Sequence, residues 1–153
     1  MIGIDTNIFA YARIAAAPMH TAAAAFLDSL ADCPDVVVSE LVLTEFYLLL
    51  RNEKILEIPL SASEAVAECQ IFRTHPRWQL VDSAEVMKEV WPIAAGQGFA
   101  RRRIFDVRLA KTLQAHGVKE FATANIRDFE GLGFQKVWNP LLTEKICNIT
   151  STF

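Results

Sequence analysis

Five short, largely apolar runs punctuate this chain, at residues 2–4, 36–38, 79–81, 121–123 and 136–138, and each pair is separated by a longer stretch or a turn. Runs of three residues are too brief for a self-sufficient hairpin ladder, and most of the intervals between them are helix-sized. Antiparallel neighbours need only a tight turn, whereas parallel neighbours need a long crossover, usually a helix. Short apolar strands alternating with helices therefore predict an α/β fold, with a mostly parallel sheet covered on both faces.

The intervals support that pattern. Helices are expected over residues 9–14 and 20–31, the second with Phe26, Leu27 and Leu30 at helical spacing. Ser39 offers an N-cap for a helix over 40–52, and Ser61 with Glu64 opens another that stops before Pro76. Ser83 is expected to cap a helix reaching Ala95, kinked or split by Pro92. A last long helix over 102–116 ends at Gly117 in the C′ position, and residues 125–128 read as a turn. One domain over residues 1–145 and a loosely held tail over 146–153 complete the expected organisation.

The chain has 153 residues, 52% of them hydrophobic and 22% charged, which suits one compact domain with a sizeable core. Its net charge of −3 argues against passive attraction to nucleic acid. Clustered acids awaiting cations would lower the formal charge in the same way. Cys33, Cys69 and Cys147 are few and widely spaced, without metal-site spacing, as in a reduced cytoplasmic protein. No run approaches the length of a membrane helix, and the first strand begins too early to leave room for a leader, so no membrane association is expected.

Four carboxylates stand where carboxylates are expensive. Asp5 ends the first strand, Asp128 follows the strand at 121–123, and Glu45 and Asp106 lie inside otherwise greasy helical segments. In open α/β sheets ligands collect beyond the carboxyl ends of the strands, so Asp5 and Asp128 should share a rim. The helix around Glu45 is apolar on nearly every face, which predicts burial for Glu45; the helix around Asp106 should likewise press into the core. Unpaired buried carboxylates cost several kcal/mol, roughly, or stay protonated, and a divalent cation relieves both problems. An all-oxygen set suits Mg²⁺ or Mn²⁺ and not zinc, and His20, His75 and His116 have no ligand spacing. Such ions, one or two, activate water and stabilise a phosphoryl transition state. No Ser-His-Asp set, Cys-His pair or phosphate-binding glycine loop competes.

Each residue also has a purely structural explanation. Asp5 would serve as an N-cap, Asp106 as a first-turn acid, Asn125 and Asp128 as turn residues, and Glu45 as a partner for Arg13 or Arg51. Arg101, Arg102, Arg103 and Arg108 form either a solvated helix start or a contact for a phosphate backbone beside the metals. Trp78, Trp91 and Trp138 suit core or interface positions.

The sequences Ile4-Asp5-Thr6-Asn7-Ile8, Ser39-Glu40-Leu41-Val42-Leu43-Thr44-Glu45-Phe46, Ile104-Phe105-Asp106-Val107-Arg108-Leu109-Ala110 and Ala122-Thr123-Ala124-Asn125-Ile126-Arg127-Asp128-Phe129, closed by Asn139-Pro140, follow one another in a fixed order. Together they resemble a PIN-domain ribonuclease, and within that family a VapC-type toxin of a toxin–antitoxin pair. The resemblance spans about residues 1–142 and implies a three-layer α/β/α sandwich. It implies that Asp5, Glu45 and Asp106 are metal ligands, with Asp128 as a more variable fourth. Thr6 and Thr123 fall at supporting positions, and Asn125 falls where some relatives carry another acid.

By the same resemblance the chain is a Mg²⁺- or Mn²⁺-dependent endoribonuclease that leaves 5′-phosphate and 3′-hydroxyl ends through a metal-activated water. A homodimer and a VapB-like antitoxin are the implied partners. The competing expectation is a catalytically silent PIN-like module that binds RNA or protein. An aspartyl-phosphate enzyme is a poor third, because its second Asp would stand at Asn7.

Overall fold

The computed structural model describes residues 1–142, so the expected boundary at 145 and the tail over 146–153 lie outside the described residues. All five expected strands form: β1 (Ile2–Ile4), β2 (Val36–Ser39), β3 (Gln79–Val81), β4 (Glu120–Ala122) and β5 (Lys136–Trp138). They make one sheet in the order β3-β2-β1-β4-β5, and every neighbouring pair is parallel.

The helices are α1 (Thr6–Arg13), α2 (His20–Ser29), α3 (Glu40–Leu50), α4 (Ala62–Arg73), α5 (Met87–Ala94), α6 (Arg103–Ala115) and α7 (Ile126–Phe129). From β1 the chain steps outward to β2 and β3, then returns past β1 to β4 and β5. Right-handed crossovers then place α1 to α4 on one face and α5 to α7 on the other. The packing agrees: α1 lies on α2 and α3, and α3 on α4, while α5 lies on α6, and α6 on α7. The result is the expected three-layer α/β/α sandwich.

Each face has its own aromatic core. Phe9, Phe46, Phe72 and Trp78 gather under α1 to α4, with the Phe9 and Phe72 rings 4.4 Å apart. Trp78, partly buried against that core, also donates its indole N–H to the Leu30 carbonyl at 2.9 Å. Phe121, Phe129 and Phe134 form the second cluster. Between the layers, Gly3 of β1 is pressed by Leu113 of α6 and Phe121 of β4; a Cβ there would meet each at 3.1 Å. Gly117 follows α6 with φ of 82°, which an L side chain resists.

Local chemistry fixes the helix starts. Ser39 accepts the Leu41 N–H at 3.2 Å, and Ser61 with Glu64 closes a full capping box on α4. Four expectations need correction. The first helix begins at Thr6 and not at residue 9, because Asp5 caps it. Ser83 does not cap α5, which starts at Met87 after Val86; the burial of Val86 and its N–H bond to the Ala84 carbonyl turn the chain first. Pro92 stays inside α5 on its exposed side, where an unpaired carbonyl meets water. The turn at 125–128 is instead the one-turn helix α7, anchored by Phe129 against Phe121 at 4.5 Å.

Candidate active site

The sheet reverses its direction of travel between β1 and β4, and that switch point leaves a crevice beyond the strand ends. Asp5 and Thr123 each follow the last residue of those strands. The Asp5 N–H donates to the Ala122 carbonyl, and the Thr123 N–H donates to the Trp138 carbonyl, both at 3.0 Å. Both side chains therefore hang from the sheet itself.

Three hydrogen bonds fix the Asp5 carboxylate and leave acceptor capacity on one oxygen. One carboxylate oxygen accepts the Thr6 N–H at 2.8 Å; the other accepts the Thr123 hydroxyl at 2.6 Å and the Asn7 amide at 2.8 Å. The Thr123 oxygen in turn accepts from Asn7 at 3.1 Å and from the Asn125 N–H at 2.9 Å. The Asn7 carbonyl oxygen accepts the Ala124 N–H at 3.1 Å, so its amide bridges β1 and β4. Asn7 is the residue that sequence reasoning undervalued. The signal was its place two residues after a strand-ending Asp, where its amide can reach back.

Asp5 is 6% exposed and Thr123 fully buried. Burial pushes Asp5 up to about 7, against the pull of its Thr123 and Thr6 hydrogen bonds, and the charges of Glu45 and Asp106 push the same way. Asp106, in the first turn of α6, is raised to about 6 by burial and then by the charges of Asp128 and Glu45, while Arg103 and Arg102 pull it down. Four acids from four elements thus act on one another electrostatically. None of them enters the ion pairs found among the described residues.

Glu45 corrects one expectation outright. It is exposed, because α3 buries only Val42, Leu43, Phe46 and Leu50 and leaves even Leu48 at the surface. An apolar helix in an outer layer covers the sheet on one side only. Glu45 still faces the crevice, since its carboxylate accepts the Thr6 hydroxyl at 2.8 Å. Neither suggested arginine holds it: Arg13 pairs with Glu68 and Arg51 binds the Tyr47 hydroxyl. Asp106 is half-buried and not pressed into the core. Asp128 is exposed on α7, and Asn125 contributes its backbone N–H to Thr123 while its own side chain caps nothing. Arg101 and Arg102 are exposed, and Arg103 and Arg108 are half-buried.

These donors suit a hard divalent ion. Among the described residues no three acid, imidazole or thiol groups converge into a finished cage. Mg²⁺ does not require one, because it keeps several waters and takes one or two carboxylates together with substrate phosphate. Two carboxyls raised by burial and mutual repulsion, with no cationic side chain paired to them, form the charge pattern such an ion stabilises.

Comparison with known proteins agrees with this geometry. The PIN domain family model matches residues 2–134. Ribonuclease VapC24 of Mycobacterium tuberculosis is 52% identical over 144 residues, covering 94% of this chain and 99% of the relative. Among solved structures, Mycobacterium tuberculosis VapC20, a sarcin–ricin loop cleaving toxin, superposes with a TM-score of 0.66 at 20% identity, over 88% of this chain and 96% of that one. VapBC2 of Rickettsia felis, bound to a DNA fragment from its promoter, gives 0.61 at 21% identity, over 91% and 98%. At those identities the structural likeness speaks to the fold.

Proposed function

This chain belongs to the PIN domain family, and from that premise we propose that it is an endoribonuclease acting as the toxin of a toxin–antitoxin pair. The observation that carries the proposal is the coupled carboxylate set at the sheet's switch point, in a chain 52% identical to a named ribonuclease. Asp5, Glu45, Asp106 and Asp128 would hold one or two Mg²⁺ or Mn²⁺ ions. When bound, such an ion supplies positive charge against the phosphoryl oxygens and a lowered pKa for the attacking water.

The chain's own residues do the positioning. Asp5, fixed by Thr123, Asn7 and the Thr6 N–H, presents its oxygens in one orientation. Thr6 ties Glu45 to the same corner through its hydroxyl. Arg101, Arg102, Arg103 and Arg108 lie before and along the start of α6 and would hold the RNA backbone on the far side of the acids. Water adds to phosphorus and the P–O3′ bond breaks, leaving a 5′-phosphate and a 3′-hydroxyl. A VapB-like antitoxin partner, supported by the VapC relative and the VapBC2 assembly, completes the proposal together with a homodimer and a cytoplasmic location, which the family resemblance implies. No described helix is long and apolar enough to cross a membrane.

The test is RNA-end mapping after brief induction of wild type and of Asp5→Asn. Cuts carrying 5′-phosphates that vanish in the variant, and in vitro with EDTA, support the proposal. Cleavage that survives both would end it, and a wild type that cuts no RNA with Mn²⁺ present would favour the silent binding module.

A further inference from the structure

Phe105 is 67% exposed, immediately before the acid Asp106 in the first turn of α6. It belongs neither to the core nor to the residues packed against it. The ring enters none of the aromatic or cation–π contacts among the described residues. Folding gives this side chain nothing to do, so its place invites a ligand.

Its neighbours indicate which one. The Phe105 N–H donates to the Arg102 carbonyl at 3.2 Å, which sets Arg102 one turn before the ring. Arg108 stands one turn after it, and residues three apart are neighbours on a helix surface. Neither arginine enters an ion pair among the described residues. A bare ring with one arginine a helical turn before it and another a turn after it combines a stacking surface with charges for flanking phosphates, the pairing that proteins use on single-stranded nucleic acid; the Arg102 charge also acts on Asp106. The exposed Trp91 on α5 lacks this setting, with Lys88, Glu89 and Pro92 around it in sequence and no acid of the crevice.

We infer that Phe105 is a base-stacking residue, which holds an unpaired nucleotide next to the scissile phosphate while Arg102 and Arg108 hold the phosphates on either side. The inference rests on the nuclease reading of the same crevice and specifies the form of RNA it takes. A base inside a duplex presents only its edges, so the strand must be looped or open at the cut.

The experiment measures binding apart from cleavage. In an Asp5→Asn background with Mg²⁺, a fluorescein-labelled, mixed-sequence single-stranded RNA 12-mer and its perfect duplex are titrated against Phe105, Phe105→Ala, Phe105→Leu and Phe105→Trp, with melting and size-exclusion runs on each. Stacking predicts roughly tenfold or greater weakening for Ala and Leu, retention for Trp, little change with duplex, and unchanged melting. In the active enzyme the Ala variant should raise KM more than it lowers kcat. Equal binding by all four proteins overturns the inference, and so does Leu matching Phe. A weakening that tracks dissociation of a second copy of the chain also overturns it, since the ring would then cover a partner. Metal-dependent cleavage by the wild type is scored separately: its absence sinks the nuclease reading, whereas intact cleavage with Phe105→Ala indistinguishable from wild type sinks only this inference.

Discussion

Asp5, hung from the centre of the sheet, accepts three hydrogen bonds, whereas Asp106 across the crevice is governed by burial and by the charges of Asp128, Glu45, Arg103 and Arg102. The first side is a floor whose donors are fixed by two strands. The second is a helical wall, half in water, whose acids have only one another and nearby arginines. A fixed floor sets the geometry at which a cation is received, and a wall balanced by charge responds to its arrival. The two sides should accordingly fail in different ways when altered.

The largest effect is expected at the floor. Asp5→Asn should lower cleavage by more than about a hundredfold, since even residues that merely orient a ligand cost about 10–100-fold. The same variant sets an amide among three donors, so its clearest mark without metal should be loss of the fall in melting temperature between pH 4 and 7 that Asp5 contributes; a fall that persists unchanged would contradict the assigned burial cost. Asp106→Asn should match the loss of cleavage and remove a smaller part of that fall, as its side is half open.

Thr123→Val comes next. It removes the donor to Asp5 and the acceptor for Asn7 and Asn125, so about 10–100-fold in activity and roughly 1–3 kcal/mol in stability should go together. Thr6→Val releases Glu45, an exposed residue, and a long 3.4 Å contact to the Val42 carbonyl, and should cost about tenfold in activity with little change in melting. Asp128→Asn, on the wall and exposed, should have the smallest effect, about tenfold or less, and should be the most easily offset by added Mg²⁺. Steady-state cleavage over a Mg²⁺ series, with melting curves beside it, measures all five. An order with Asp128 above Thr123 would invert the comparison.

How far the sequence led differs between these regions in the same way. The floor was legible: an apolar run stops at Asp5, and Thr123 was expected to close a second run lying alongside, although the strand itself ends one residue earlier, at Ala122. Its net was less so, since only the register of β1 against β4 shows that Asn7 reaches both Thr123 and the Ala124 N–H. The helix-borne acids on either side of that floor were harder. Helical composition suggested burial for Glu45, but composition cannot tell an outer-layer helix, wet on one side, from one enclosed on all sides. Asp128 looked like a turn residue because a one-turn helix carries no periodicity of its own. The helix around Asp106 was expected to press into the core, and it does so through Val107, Leu109, Ala110 and Leu113, but which of its apolar residues stay outside, Phe105 among them, emerges only once α6 is placed.

The central claim is that these acids share one crevice and that a divalent cation relieves the cost of charging them, and thermal melting against pH with and without Mg²⁺ tests it most directly. Asp5 titrates at about 7 in the folded protein against 3.8 in its ordinary state, so the folded state binds the extra proton between those values. Metal-free stability should therefore be greatest near pH 4 as far as this group is concerned, fall as pH rises toward 7, and level off above it, by on the order of 4 kcal/mol. Added Mg²⁺ should restore the loss at pH 8 and do little at pH 5, where protons compete for the same oxygens. Melting temperatures that neither fall across that window nor respond to Mg²⁺ at pH 8 would contradict the account.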